Sequence, residues 1–339
     1  MKLQLLKKKT VLFFITVTMM ISFPLWSQEE NQKKEDSNKI EYSIGTDFAF
    51  YPKWAHGETG ATDDFKVDFA SFKSVYNNLE ARVNLCAFYK VPVPLGSHWL
   101  LKNSNVSFKG TLEVSPVTIA PIVAISFTPL PFLVFQTGIK TGTGWDIGNL
   151  FTGGMSFYNE QKNEYESCGA FTNLYAKYWL QGTFQFDTGA ILKGDWKHIQ
   201  LLYTYQIFYE GMTGVSDKSL WAWQCTKNKV NGVKEYQAAI LAYSMPITLS
   251  RVGFVFESER FYKDNVYKNE DFRASLADFN LSAMSQFSFS KQDSLTVLLN
   301  FATRKQYETY NEDLPESTLK TTGIEWYFRR VALSYTHNF

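Results

Sequence analysis

Apolar and polar residues alternate with period two along most of this chain. In IEYSIGTDFAF (40–50), Ile40, Tyr42, Ile44, Phe48 and Phe50 oppose Glu41, Ser43, Gly45 and Asp47. Between 74 and 88, Val75, Leu79, Ala81, Val83 and Leu85 oppose Asn78, Glu80, Arg82 and Asn84. Between 106 and 114, Val106, Phe108, Leu112 and Val114 oppose Ser107, Lys109, Thr111 and Glu113. The pattern returns at 171–186, 196–209, 235–243, 247–257, 278–289, 294–304 and 322–339. Successive side chains of a strand leave from opposite faces, so each segment predicts a strand with one apolar side.

One stretch imitates a membrane helix. From Val114 to Ile139 no residue is charged, which is long enough for a helical span. Pro116, Pro121, Pro129 and Pro131 lie within it, and prolines at that density break a helix. Its Val, Ile, Thr and Phe favour strands. The stretch therefore predicts strands over 117–127 and 132–143 joined by TPLP (128–131), with Pro121 at an edge, a bulge or a distorted register.

Twelve strands result, within a range of ten to fourteen. The count takes 322–339 as one strand bulged at Arg329–Arg330, where the apolar parity switches from even to odd positions. A two-residue turn there would give thirteen, whereas single-chain bacterial barrels have an even number. Short connections (TPLP, SMPI at 244–247, SKQD at 290–293) alternate with long polar ones at 51–73, 144–170, 210–234, 258–277 and 305–321. That sorting is expected of a membrane barrel, with turns on one side and loops on the other. The stretch 89–105 is too long for its short-turn position.

An outward face of Val, Leu, Ile, Phe and Tyr on strand after strand would aggregate in water. In lipid it is stable once every backbone group is paired, which requires closure. The fold class expected is all-β, a closed antiparallel transmembrane barrel over 40–339. Aromatics near strand ends (Tyr51, Trp54, Trp145, Trp196, Trp326, Tyr327) fit interfacial girdles. Aromatic residues make up 17% of the chain, enough for one oily and one wet face.

The N-terminus agrees with export. Lys2, Lys7, Lys8 and Lys9 precede VLFFITVTMMISFPLW, and the charged QEENQKKEDSNK follows. This reads as a cleaved signal peptide over 1–27 and a short polar tail over 28–39. Without the leader's four lysines (34 less 4), 30 basic residues face 33 acidic ones, a net charge of about −3. No basic footprint for nucleic acid exists. Three cysteines (Cys86, Cys168, Cys225) exclude a complete disulfide framework; Cys168 and Cys225 fall in polar loops and could pair.

The chain closes on VALSYTHNF, with Val331, Leu333, Tyr335 and Phe339 on one side of the strand. Together with the export signal, this resembles the terminal strand of bacterial outer-membrane β-barrel proteins of the porin and uptake-channel type. His337 departs from the pattern, since that place usually holds an aromatic or aliphatic residue. The resemblance covers the mature chain at the level of architecture. It implies an outer-membrane location, a lipid-embedded wall, and recognition of the terminal strand by the barrel-assembly machinery. Enzymes of this architecture pair His with Ser, or Asp with His, two residues apart on a strand. None of His56, His98, His198 and His337 has Ser at i+2, and Asp195 and His198 are three apart. No catalytic site is expected. His56 beside Glu58 lacks further metal ligands at useful spacing, and Gly142, Gly144 and Gly148 are followed by no Walker lysine. No cofactor or metal is expected.

If the apolar sides meet lipid, the lumen receives Glu80, Arg82, Lys109, Glu113, Lys140, Lys177, Gln181, Gln200, Gln206, Asn300 and Glu325. Mixed charges of this density suit a hydrated interior. They either line a narrow aqueous path or pair across the lumen and fill it. The segment 144–170 is most simply an exposed loop; alternatively its glycines let it fold into the lumen as a hatch. The expected function is a channel or uptake protein for small solutes. A surface adhesin on a filled barrel is the alternative, its loops carrying Trp54, Trp221, Trp223, Tyr262 and Tyr267 for partners. A gated transporter of hydrophobic compounds is a third reading.

Overall fold

The computed structural model describes residues 39–52, 79–147, 154–224, 226–309 and 314–339. The segment read as a signal peptide (1–27), the tail up to residue 38, Trp54, His56, Glu58 and Cys225 lie outside them. Sixteen strands are formed: β1 (Ile40–Phe50), β2 (Leu79–Pro92), β3 (Asn105–Val114), β4 (Thr118–Leu130), β5 (Leu133–Gly144), β6 (Met155–Asn159), β7 (Glu164–Ser167), β8 (Tyr175–Asp187), β9 (His198–Met212), β10 (Trp221–Trp223), β11 (Thr226–Lys229), β12 (Gly232–Ser244), β13 (Leu249–Phe261), β14 (Asp278–Ser288), β15 (Asp293–Tyr307) and β16 (Thr321–Asn338).

Twelve of them close in the order β1-β16-β15-β14-β13-β12-β9-β8-β5-β4-β3-β2. Every neighbouring pair is antiparallel. The remaining four form a separate sheet, β11-β10-β6-β7. The outer wall is apolar and unpacked: Leu180 is 65% and Phe254 59% exposed. A wall of this kind is stable in hydrocarbon and not in water. No described helix is long and apolar enough to span a membrane; the crossing elements are strands.

Alternation fixes the register wherever one face is apolar. The proline-rich stretch is β4 and β5, joined at Pro131–Phe132. Pro121 produces no register shift, because Ile119 faces Thr143 and Ile122 faces Lys140. The β5 ladder is merely interrupted at Ala120 and Pro121, as expected from a residue with no N–H. The irregularity lies lower, between Phe127 and Leu130. The overlong 93–104 connection extends the β2–β3 hairpin, with Val93 N–H donating to Ser104 O at 2.8 Å.

β16 is one strand with a bulge. Arg330 faces Asn300, yet Phe328 faces Phe301, so Arg329 is the extra residue. Above the bulge Trp326 points outward, and below it Leu333 and Tyr335 do. A regular strand would send one of the two arginines into lipid, at about 2–4 kcal/mol near the midplane. The seam runs from Ser43 opposite Asn338 to Phe50 opposite Val331, and Phe339 N–H donates to Tyr42 O at 3.0 Å. His337 Nδ1 lies 2.8 Å from Asp293 Oδ1, a polar partner that suits its place at the rim. Tyr51 and Tyr327 do not join an outer girdle as expected. Tyr51 continues the inward odd series of Asp47 and Ala49 and is buried, and Tyr327 turns its ring toward Arg304, 5.0 Å away.

Candidate functional site

The lumen is built from the inward parity of the twelve strands. On one side Arg82 of β2 lies between two acids, donating from Nε to Asp47 Oδ2 at 3.0 Å and from Nη1 to Glu113 Oε2 at 2.6 Å. Lys140 of β5 donates to both Glu113 oxygens at 2.9 Å. Asn84 and Ser334 donate to Asp47, each at 2.6 Å. Arg82 and Glu113 are 4% and 2% exposed. Groups so far from water stay ionised only when paired and hydrogen-bonded.

Across the lumen, Glu210 of β9 accepts from Lys229 at 2.6 Å and from the Tyr175 hydroxyl at 3.0 Å. Lys234 of β12 lies 3.2 Å from Glu210 and 2.7 Å from Glu259. Lys177 stands 3.6 Å from the centre of the Phe208 ring, a cation–π contact. Nearer β16, Arg304 donates to Glu325 at 2.5 Å. Below the charges the interior turns apolar along one wall, where Ile240, Ala242, Val255 and Met284 pack with Leu202 and Leu298.

The second sheet covers the loop end of the lumen. Trp221 of β10 faces Phe157 of β6, so two loops distant in sequence are stitched together. Trp223 stacks on Tyr175 with ring centres 4.6 Å apart and planes at 16°. Gly142 is required below it, since a Cβ there would lie 2.6 Å from Trp223 Cη2. Gln224 adopts a left-handed backbone (φ 48°) at the tip, and its amide donates to Glu113 Oε1 at 2.9 Å and Thr118 Oγ1 at 2.8 Å. Strain of this kind is tolerated where the surroundings over-determine it. The described part of 144–170 is therefore not an exposed loop but half of a cap. Trp221, Trp223 and Tyr267 are buried within the loops rather than displayed to partners. Cys168 packs beside the cap, and burial pushes its thiol up to about 11.

A second roof of Val230, Phe261, Tyr267, Phe272, Tyr307 and Leu319 adjoins the cap. Glu316 sits beneath it, accepting from the Tyr307 hydroxyl at 3.2 Å. Removal from water raises its carboxyl above the usual range, against the smaller lowering effects of Tyr307, Lys305 and Lys227. A group raised on folding supports the fold below its unfolded value, and that support is lost as pH rises through the folded one. Loop cleavage by an added protease should therefore accelerate from acid toward neutral pH. In Glu316→Gln it should be slower at neutral pH and nearly flat across the range.

The sequence-derived lumen residues are distributed unevenly. Glu80, Arg82, Glu113, Lys140 and Lys177 lie in the charged layer. Lys109 shares the inward face with Cys86 and Thr111 below it. Gln181 and Gln206 bond each other at 2.9 Å, and Asn300 donates to Ser282 at 2.9 Å. Gln200 lies at the turn end, donating to Asp187 at 3.0 Å. Asp187 also holds His198 at 2.9 Å, so this histidine's partner is Asp187 and not Asp195. Glu325 pairs with Arg304. Val331, Leu333, Tyr335 and Phe339 line the outer side of the closing strand. Asp47, Glu210, Lys234, Glu257 and Glu259 complete the network and were missed. Most lie at or just beyond the strand ends that alternation marks, where the apolar partner residues give out.

Fold and site define the class: a closed twelve-strand transmembrane β-barrel with a charged interior capped by its own loops. No protein-family model and no curated protein sequence matches the chain. Among solved structures it is similar to an outer membrane channel from Pseudomonas putida F1 (9% identity, TM-score 0.45, covering 91% of this chain and 100% of that one). It is also similar to the outer membrane channel DcaP of Acinetobacter baumannii (9%, 0.36, 89% and 96%) and to OmpF of Salmonella typhi (9%, 0.33, 89% and 98%). At these identities the likeness is one of architecture.

Proposed function

We propose that the protein is an outer-membrane channel or uptake protein for small solutes, closed on the outside by its own loops. In this reading the loop end faces the cell exterior and the turn end the periplasm. The barrel wall meets outer-membrane lipid, and the closing strand is handled by the barrel-assembly machinery. The observation that carries the reading is the cap. It is held to the lumen wall by side chains, Trp223 on Tyr175, Gln224 on Glu113 and Lys229 on Glu210, and its strands form a sheet separate from the barrel's ladders. Beneath it Arg82, Glu113 and Lys140 are paired and almost inaccessible to water, so in this reading passage also requires these pairs to part.

Liposomes carrying the refolded chain, challenged with solutes of graded size, test it. Slow swelling that accelerates when the cap is loosened supports a gated channel. A competing reading, a filled scaffold presenting its loops to a partner, is favoured by a cleft of about 280 Å³ among the loops, lined by Tyr158, Leu220, Tyr267 and Leu314 with Glu160 and Lys268. That reading expects no swelling from any cap variant.

A further inference from the structure

The bulge of β16 turns two consecutive arginines into the lumen. Arg329 Nη1 donates to Asn280 Oδ1 at 3.2 Å, and Arg330 Nη1 donates to the Tyr51 hydroxyl at 3.1 Å. Tyr51 in turn donates to Glu80 Oε2 at 2.7 Å, so the nearest acid's hydrogen bond goes to the phenol rather than to a guanidinium. The Nε groups of both arginines are buried and have no acceptor among the described residues. No carboxylate of the described residues lies within ion-pair distance of either. Elsewhere in the charged layer Arg82, Lys140, Lys229, Lys234 and Arg304 each have one.

A guanidinium carries five N–H donors in a planar fork, and each of these two spends one on a neutral oxygen. Both residues keep some accessible surface, on the lumen side of the bulged strand. Adjacent forks with unused donors match the geometry of a carboxylate, which accepts two parallel N–H bonds. Arg82 lies on the neighbouring strand pair, and its own Nη2 is buried without an acceptor among the described residues. The acids that face this group are Glu80, bonded to the Tyr51 hydroxyl, and Glu257, bonded to the Tyr236 hydroxyl.

We propose that Arg329 and Arg330 form a binding site for small carboxylate anions inside the barrel. The inference rests on the channel reading and gives it a solute class. The bulge is what creates the site, since a regular strand would present only one of the two side chains.

Calorimetric titration of the full-length refolded protein in zwitterionic detergent, with citrate as probe at low salt, tests it. Saturable binding is expected, weakened at least about tenfold in Arg329→Gln and in Arg330→Gln, because each removes charge-assisted hydrogen bonds. Lys193→Gln, on an exposed turn, controls for loss of charge and should bind as wild type. Deleting Arg329 removes the bulge while leaving 321–328 and 330–338 in their own registers; it should abolish binding and keep the folded gel mobility. Correctly folded wild-type protein that takes up no citrate overturns the proposal, as does binding indifferent to both arginines. Binding in detergent needs no conduction. Citrate binding without solute passage would defeat the channel reading, and passage of neutral sugars without citrate binding would defeat this one.

Discussion

Replacing Trp223 with alanine is expected to convert a nearly closed barrel into a permeable one. The indole is 5% exposed, stacks on Tyr175 and rests over Gly142. Removing a buried tryptophan costs about 3–5 kcal/mol. Here the loss falls on the cap alone, because the barrel's strands pair without it. A change of that size shifts a closed–open balance by roughly two to four orders of magnitude. Liposome swelling should rise steeply for sugars the wild type excludes, while the heat-modifiable mobility of the folded barrel stays unchanged. Gly142→Leu attacks the same contact from below and should act alike. If both variants fold and remain impermeable, the lumen itself is the barrier and the cap is only a lid on a filled interior.

The second large effect is on stability. Glu113 receives Arg82, Lys140 and the cap's Gln224. Glu113→Gln strands Lys140 and leaves Arg82 to Asp47 alone, and breaking a buried pair costs about 3–5 kcal/mol. The temperature at which the barrel loses its folded gel mobility should fall accordingly. Adding Lys140→Met should restore part of the loss, since the stranded ammonium is then removed. An unchanged transition in Glu113→Gln would mean that the network is hydrated and its pairs are worth as little as surface ones.

Much of the barrel is legible in the alternation. The twelve strands, the reading of the proline-rich stretch as a hairpin and the bulge near Arg329 all follow from period-two parity. Parity says less where both faces are apolar. In β12 the run Ala238–Tyr243 offers no polar side, and only Lys234 and Tyr236 above it reveal that Ile240 and Ala242 point inward. Of the cap, only a hatch from the glycine-rich 144–170 segment is offered by the sequence, as an alternative to an exposed loop; its sheet is not legible. Its strands span only three to five residues, too few for a period to show. Its key pairing, Trp221 with Phe157, joins loops separated by two barrel strands. The same tryptophans that look like a display surface in sequence are buried because these loops find each other. The lumen acids and lysines beyond the marked strand ends were lost for a related reason: the ladders continue past the apolar belt.

The closing seam carries a consequence for the life history of the chain. The edge of β16 that pairs with β1 is free only while the barrel is open, and the last amide, on Phe339, finally engages Tyr42. Any escort that grips this edge by adding a strand to it is displaced by β1 when the cylinder shuts. In the proposed reading, an address carried by this edge would be cancelled on delivery, because β1 then occupies its hydrogen bonds.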